Sequence, residues 1–396
     1  MKFNSKLDRL GTETAFAVSA QARAWAEKGH KIYPFHLGDI NLPTPENIRE
    51  ATYRFMNQNK NGYCPSEGIP ELREALAHDV GSKRGVQYGF ENVVVQPGGK
   101  PTIWKFFAVV MNEGDEVLYP NPGYPIYESQ IKYQGGIPVP YGYDETETGF
   151  AIDIQKLRAS ITDKTTTLVY NNYQNPISAA SSQEEIEALA ELALEHDLWV
   201  LSDDAYYEIR YTDEPPRSIV NISGMQERTL ILYTFSKKFA MTGWRVGASI
   251  GPTEVIKHIA RFNINDESCT NHFIQHALAE TVEGDQSGAK ALLSELQTRR
   301  DVMVEGLNAI NGIHVPKPES TFYLFPNVTK VMAKKEFTDL DEFRIAALES
   351  TGVSFCARHH FGTPLEHETE HYIRLAYSGI TQNDIREGLG KLKSWL

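Results

Sequence analysis

Short apolar runs alternate with helical patterns through the middle of the 396-residue chain. The runs are NVVVQ (92–96), DEVLYP (115–120), TTTLVYNN (165–172), LWVLSDD (198–204), TLILYTF (229–235) and RVGASIG (245–251). They are rich in Val, Leu and Ile, and most lack polar alternation. A strand wet on one face would alternate, so these runs predict strands covered on both faces of a mostly parallel sheet. Helical patterns lie between them. In SSQEEIEALAELALEHD, Ser182 followed by Glu185 predicts a capping box, because the first turn of a helix leaves backbone N–H groups for side chains to satisfy. Strand, helix and strand in succession predict an α/β fold.

Beyond residue 285 the texture changes. SGAKALLSELQTRRDVMVEGLNAI predicts a long polar helix, and FYLFP and YIRLAYS predict short strands. This reads as a second, smaller α+β domain. AVSAQARAWAEKG forms a helical pattern ahead of the main alternation and is expected to join it. The expected division is a large domain over 46–285 and a small domain built from 1–45 and 286–396.

Acidic residues outnumber basic ones, 52 to 39, for a formal net charge of −13. That balance argues against a nucleic-acid or anionic-membrane surface, which needs a basic patch. No apolar run approaches the length of a membrane span, and MKFNSKLDRLGTETAF carries no secretion-signal core, so a cytoplasmic protein is expected. Cys64, Cys269 and Cys356 are far apart in sequence and read as free thiols in a reducing compartment. The twelve histidines are scattered. RHHFG lacks a helical i, i+4 partner set, so no metal site is expected.

In such sheets ligands sit beyond the carboxyl ends of the strands. The segments at those ends are PGGK (97–100), PNPGY (120–124), NNYQNP (171–176), SDDAYY (202–207) and TFSKK (234–238). Together they offer what pyridoxal phosphate requires: a lysine for the aldehyde, an acid for the pyridine nitrogen, donors for the phenolate oxygen, a ring to stack and an anion site. Asp203 can keep the pyridine nitrogen protonated. Tyr206 and Asn175 can donate to the phenolate oxygen, and Tyr124 can stack on the ring. Thr234, Ser236 and Arg245 can hold the phosphate. Backbone N–H groups of Gly99 and Lys100 join them, because a helix starts there and helix N-termini favour anions. Each feature alone has an ordinary reading: an aspartate that caps a strand, a tyrosine that packs, a glycine pair that turns. Their joint placement at strand ends favours the cofactor site.

The chain resembles class I/II aminotransferases, which are fold-type I pyridoxal-phosphate enzymes, over nearly its whole length. SKKFAMTGWRVG looks like the family's lysine signature, and GYCPSEGIPELREALA (62–77) resembles the segment that carries a tyrosine to the neighbouring subunit. LGDINLPTP (37–45), PESTFYLFP (318–326) and YIRLAYSG (372–379) are similar to further family segments. The resemblance implies transamination with Lys237, Asp203 and Tyr206 as catalytic residues, and it makes Lys237 rather than Lys238 the imine-forming lysine. Lys238 is expected to be solvated or to start a helix. It also implies a homodimer in which Tyr63 reaches the partner's cofactor phosphate. Substrate binding falls to Gly38, Asn175 and Arg374, with Arg374 gripping the α-carboxylate by two parallel hydrogen bonds.

The chain departs from the family pattern near the substrate. NPIS (175–178) stands for Asn-Pro-Thr-Gly, Tyr173 for a proline, and ARHHFG (357–362) lacks a usual Pro-Gly; Ile40 also replaces a proline. Aspartate or an aromatic amino acid is the leading donor and 2-oxoglutarate the leading acceptor. A cation at Lys100 or Arg358 would favour aspartate, whereas Tyr124, Phe16 and Tyr33 would line an aromatic pocket. A C–S β-lyase or related synthase could use the same residues. A non-catalytic sensor that binds the cofactor is a further alternative, disfavoured by the acidic balance and by the lack of a helix-turn-helix segment before residue 1. A dinucleotide-binding fold fails because QPGGKP does not meet the Gly-x-Gly-x-x-Gly pattern.

Overall fold

The computed structural model describes residues 2–11, 14–366 and 368–396. Seven strands form the central sheet: β1 (Val93–Gln96), β2 (Glu116–Pro120), β3 (Ile137–Tyr141), β4 (Thr165–Tyr170), β5 (Trp199–Asp203), β6 (Thr229–Thr234) and β7 (Gly247–Ile250). Their order is β1-β7-β6-β5-β4-β2-β3. All pairings are parallel except those of β7, which runs antiparallel to both β1 and β6.

The missing polar alternation has a direct cause. Leu168, Val200, Ile231 and Ala248 pack on one face against the helices Pro70–Arg84, Gln183–Glu195 and His272–Glu283. Val169, Leu201, Leu230 and Leu232 pack on the other against Lys100–Val110, Ile126–Gln134 and Thr253–Asn265. Successive side chains point to opposite faces of a strand, so an apolar residue is required at every position. The Ser182–Glu185 capping box forms as expected.

Two prolines hid β3 from the sequence pattern. β3 is an edge strand, and its inward-facing Ile137 N–H bonds the Asp115 carbonyl at 2.8 Å. Pro138 and Pro140 fall at the alternate positions, where a ladder N–H would face the open edge and is not needed. The hairpin Tyr143–Thr146 with Gly149–Ile152 also escaped the reading.

A second core gathers Phe35, Leu296, Met303, Phe322, Phe343, Leu375, Tyr377 and Leu389. Its antiparallel sheet has Ile373–Ala376 between Tyr323–Leu324 and Cys356–Ala357. Tyr33–Pro34 pairs with Val353–Ser354, which ties an early segment to the late ones. Tyr173, Tyr206 and Tyr207, carried on loops that follow β4 and β5, belong to this core as well. The two bodies therefore meet at the carboxyl ends of the parallel strands.

Candidate active site

A cleft of about 630 Å³ lies where the two bodies meet. Lys237, Asp203, Tyr206, Asn175, Tyr124, Gly99, Lys100, Thr234, Ser236, Arg245, Gly38 and Arg374 all line it, whereas Tyr63, Arg358 and Tyr33 do not. The reversal of β7 matters here. Because β7 runs against its neighbours, its amino end lies beside the carboxyl ends of β1 and β6, with Gly247 opposite both Gln96 and Thr234. Arg245, just ahead of β7, therefore reaches the same rim as the lysine that follows β6.

One corner of the cleft gathers groups that suit an anion. The helix Lys100–Val110 begins at Gly99 with no side-chain cap, and its amino end, where the helix dipole favours an anion, opens on the cleft. Thr234 Oγ1 and Ser236 Oγ lie 2.9 Å apart beside it. Arg245 adopts φ +57° and is fixed by bonds from its guanidinium to the carbonyls of Thr242 (2.7 Å) and Pro97 (3.2 Å). A Cβ at Gly98 would lie 2.1 Å from Arg245 Nη2, and one at Gly99 would lie 2.6 Å from Leu232 Cδ2. The glycines let the backbone approach where any side chain would obstruct.

The floor is a buried carboxylate. Asp203 ends β5, and its neighbour Asp204 points away to Arg84 Nη2 at 2.6 Å. Alternation along the chain thus commits one aspartate to an ion pair and leaves the other at the cleft. Burial pushes the Asp203 carboxyl up to about 6, against the lowering effect of hydrogen bonds from the Tyr127 hydroxyl and the Ala205 N–H. Tyr127 was not anticipated. Its signal was its place in PGYPIYES, one helical turn beyond Tyr124, whose ring meets it edge-on at 5.8 Å.

Lys237 Nζ donates to the Gly38 carbonyl at 3.0 Å and lies 5.6 Å from the Phe322 ring centroid and 5.9 Å from that of Tyr206. The Tyr206 and Tyr323 hydroxyls are 2.7 Å apart. Burial, reinforced by Tyr323, holds the Tyr206 phenol well above its usual value, so it keeps its proton at neutral pH and can donate a hydrogen bond. Tyr323 is a second unanticipated member, and a Cβ at Gly38 would strike its hydroxyl.

Opposite this group stands Arg374 on Ile373–Ala376, only 5% exposed. Its Nη1 donates to Asn175 Oδ1 at 2.9 Å and its Nη2 to the His36 carbonyl at 2.8 Å. The rings of Tyr323 and Phe361 lie 4.4 and 4.5 Å from its guanidinium carbon. Its Nε is buried without a hydrogen-bond partner among the described residues. A guanidinium so held has donor capacity left for a carboxylate.

Three expectations are corrected. Lys238 is not solvated: its side chain is 13% exposed and bonds Glu208 at 3.2 Å, in a group completed by Lys83. Arg358 is not a cleft cation, because Glu368 (2.6 Å), Asn121 (2.8 Å) and the Gly362 carbonyl (3.1 Å) engage it. Tyr33 does not line an aromatic pocket; it is fully buried in the second core and donates to Glu387. Lys100, Tyr124 and Phe16 do line the cleft, with Lys100 Nζ 5.7 Å from the Tyr124 ring centroid.

The altered NPIS segment is also accounted for. Ser178 holds φ +57°, a conformation that suits glycine, and its hydroxyl bonds the Tyr323 carbonyl at 2.8 Å and the Thr321 hydroxyl. Those two bonds offset the backbone strain.

Similarity to known proteins agrees with this geometry. An aspartate/prephenate aminotransferase assigned as probable in Aquifex aeolicus is 32% identical, with 99% of this chain and 98% of that protein covered. The aspartate aminotransferase of Bacillus subtilis is 31% identical over 100% and 99%. Among solved structures, the aspartate aminotransferase of Thermus thermophilus with maleate superposes with a TM-score of 0.91 at 30% identity, covering all of both chains. The sequence profile described as aminotransferase class I and II matches residues 32–392, and the chain belongs to that aminotransferase family.

Proposed function

We propose that the chain moves the amino group of L-aspartate to a 2-oxo acid such as 2-oxoglutarate, by ping-pong kinetics and with pyridoxal 5′-phosphate as cofactor. An aromatic amino acid is the alternative donor. The observation that carries the reading is the buried Asp203 carboxyl lining the same cleft as Lys237. Burial makes the anion unfavourable, and a protonated pyridine nitrogen is the kind of partner that would stabilise it.

When bound, pyridoxal phosphate supplies an aldehyde for the substrate amine and a cationic ring that draws off electron density. The residues fit it. Arg245, Thr234, Ser236 and the N–H groups at Gly99 and Lys100 would hold the phosphate. Asp203 would keep the ring-nitrogen proton in place. Tyr206 would donate to the phenolate oxygen together with Asn175, and Tyr124 would cover the ring. Lys237 Nζ would hold the aldehyde, then take the α-proton and return it. Arg374, steadied by Asn175 and His36, would fix the α-carboxylate and so orient the α-hydrogen. Gly38 contributes a carbonyl to Lys237 and close approach of backbone to substrate. Lys100, in the same cleft, supports a second carboxylate on the substrate, and the names of the relatives support aspartate.

Tyr63 is 87% exposed, which supports its insertion into a second copy in a homodimer. The two cores support a division into 46–285 and 1–45 with 286–396. A cytoplasmic location is inferred from composition. No helix among the described residues is long and apolar enough to cross a membrane.

The test is the half-reaction of cofactor-loaded protein with single amino acids, followed by absorbance. L-Aspartate should convert the cofactor to its aminated form and release oxaloacetate, and Lys100→Ala should raise KM for aspartate more than for phenylalanine. Conversion with phenylalanine alone would make the aromatic donor correct. Release of pyruvate and ammonia from cysteine-type substrates without an acceptor would overturn transamination.

A further inference from the structure

The turn Arg358–Phe361 carries a second set of donors, away from Lys237. Asp341 lies in the first turn of the helix Leu340–Thr351, and its Oδ2 is 3.1 Å from His359 Nε2. The rings of His359 and His360 stack, with centroids 4.4 Å apart and planes at 29°. One donor atom from each of these three residues lies within 4.8 Å of the others. Asp341 and His359 are partly open to water, while His360 is buried.

The surroundings orient the donors. Arg344 Nε takes Asp341 Oδ1 at 2.9 Å and leaves Oδ2 toward the histidines. His360 Nδ1 is 3.1 Å from the Ala357 carbonyl oxygen. The same Nδ1 lies 3.1 Å from the Ala357 N–H, so the Ala357 backbone holds the ring in place from two atoms beside Asp341 and His359. The turn itself is held from behind by the Arg358 bonds to Glu368, Asn121 and Gly362.

We propose that Asp341, His359 and His360 bind one divalent transition-metal ion of the imidazole-preferring kind, Zn²⁺ or Ni²⁺, beside the active-site cleft. Two imidazoles and one carboxylate suit those ions and not Mg²⁺ or Ca²⁺, which take oxygen ligands. Water fills the positions left by the open face. The Arg344 guanidinium opposes a dication, so the affinity is moderate. Sequence spacing hides the set, because the histidines are adjacent and the carboxylate comes from the preceding helix. His360 lines the cleft and Phe361 packs on Arg374, so the ion would steady the turn that borders the substrate-carboxylate arginine.

The test is equilibrium dialysis of full-length, cofactor-loaded protein against ZnCl₂ after EDTA treatment and desalting, with bound zinc measured by atomic absorption. Wild type should saturate at one zinc per chain. His359→Gln and Asp341→Asn, both nearly isosteric and at partly exposed positions, should each weaken binding roughly tenfold or more. His272→Ala tests the competing pair His272 and His276, whose Nε2 atoms lie 3.2 Å apart, and should leave the binding unchanged. The proposal would be overturned by no saturable binding by about 0.1 mM zinc, by wild-type binding in the His359 and Asp341 variants, or by loss in His272→Ala. MgCl₂ should not compete at equal concentration, and competition would mark a site of the wrong class.

Discussion

The Tyr127 hydroxyl donates a hydrogen bond to the Asp203 carboxylate, and both groups are buried. The bond holds the carboxyl lower than burial alone would, and so keeps more of it ionised at neutral pH. Tyr127→Phe removes it without a change of shape. The Asp203 carboxyl then rises further, and the acid limb of the kcat profile should move to higher pH. A hydrogen bond to a charged group contributes about 1.5–3 kcal/mol, so turnover at pH 7 should fall by roughly tenfold or more. An unmoved limb in a normally folded variant would contradict this role.

Asp203 itself should destabilise the cofactor-free protein at neutral pH. Its folded value of about 6 lies above the usual 3.8, so the folded state binds this proton more tightly than the unfolded state. The favourable contribution is complete below pH 3.8 and is lost as the pH rises through 6, a swing of up to about 3 kcal/mol. Cofactor-free Asp203→Asn should therefore melt above wild type at pH 7.5, with the gap closing near pH 4. The same variant loaded with cofactor should lose most of its turnover.

Adjacent lysines should fail in different ways. Lys237→Ala should abolish turnover and the absorbance of the lysine-bound cofactor while leaving the melting temperature nearly unchanged. Lys238→Ala should keep the absorbance. It unbalances the Lys83–Glu208–Lys238 group and should cost about 1 kcal/mol of stability, measured by urea unfolding.

Ser178→Ala retains the positive φ and discards both hydroxyl bonds, so it should destabilise by about 1–2 kcal/mol. Ser178→Gly loses the same bonds but relieves the backbone, and should cost less. Chemical denaturation of the pair separates strain from hydrogen bonding.

Gly98→Ala should act on the anion corner. The residue has φ +95°, and an added Cβ would displace the Arg245 guanidinium. Cofactor affinity should fall by roughly tenfold or more, read by titration of the cofactor-free protein. Addition of inorganic phosphate should compete with the cofactor less effectively in the variant than in wild type.

The sheet and its site were legible in the sequence because both follow local rules. Two-sided burial leaves unbroken apolar runs, and ligand chemistry collects at the ends of those runs. Asp203 and Arg245 could be placed at the cleft this way because each sits next to its strand, while the choice of Lys237 over Lys238 came from the family resemblance. Tyr127 was missed although it sits one turn beyond Tyr124, and Tyr323 left no signal, since its role depends on which small-domain strand closes over the cleft. Arg358 and Lys238 were misplaced for a related reason. A cation's partner, here Glu368 or Glu208, is set by tertiary contact and leaves no trace in the spacing. β3 was missed because prolines ordinarily exclude a strand, and only its position at the rim of the sheet makes them harmless.

The single reversed strand has one more consequence. Residues 237 and 245 bound one short connection that leaves β6 and returns through β7. Lys237 and Arg245, the proposed nucleophile and phosphate-binding residue, are therefore two ends of one connection, anchored at Gly247 between neighbours on either side. Loosening that pivot would slacken both at once, so damage to β7 should reduce covalent capture and phosphate grip together.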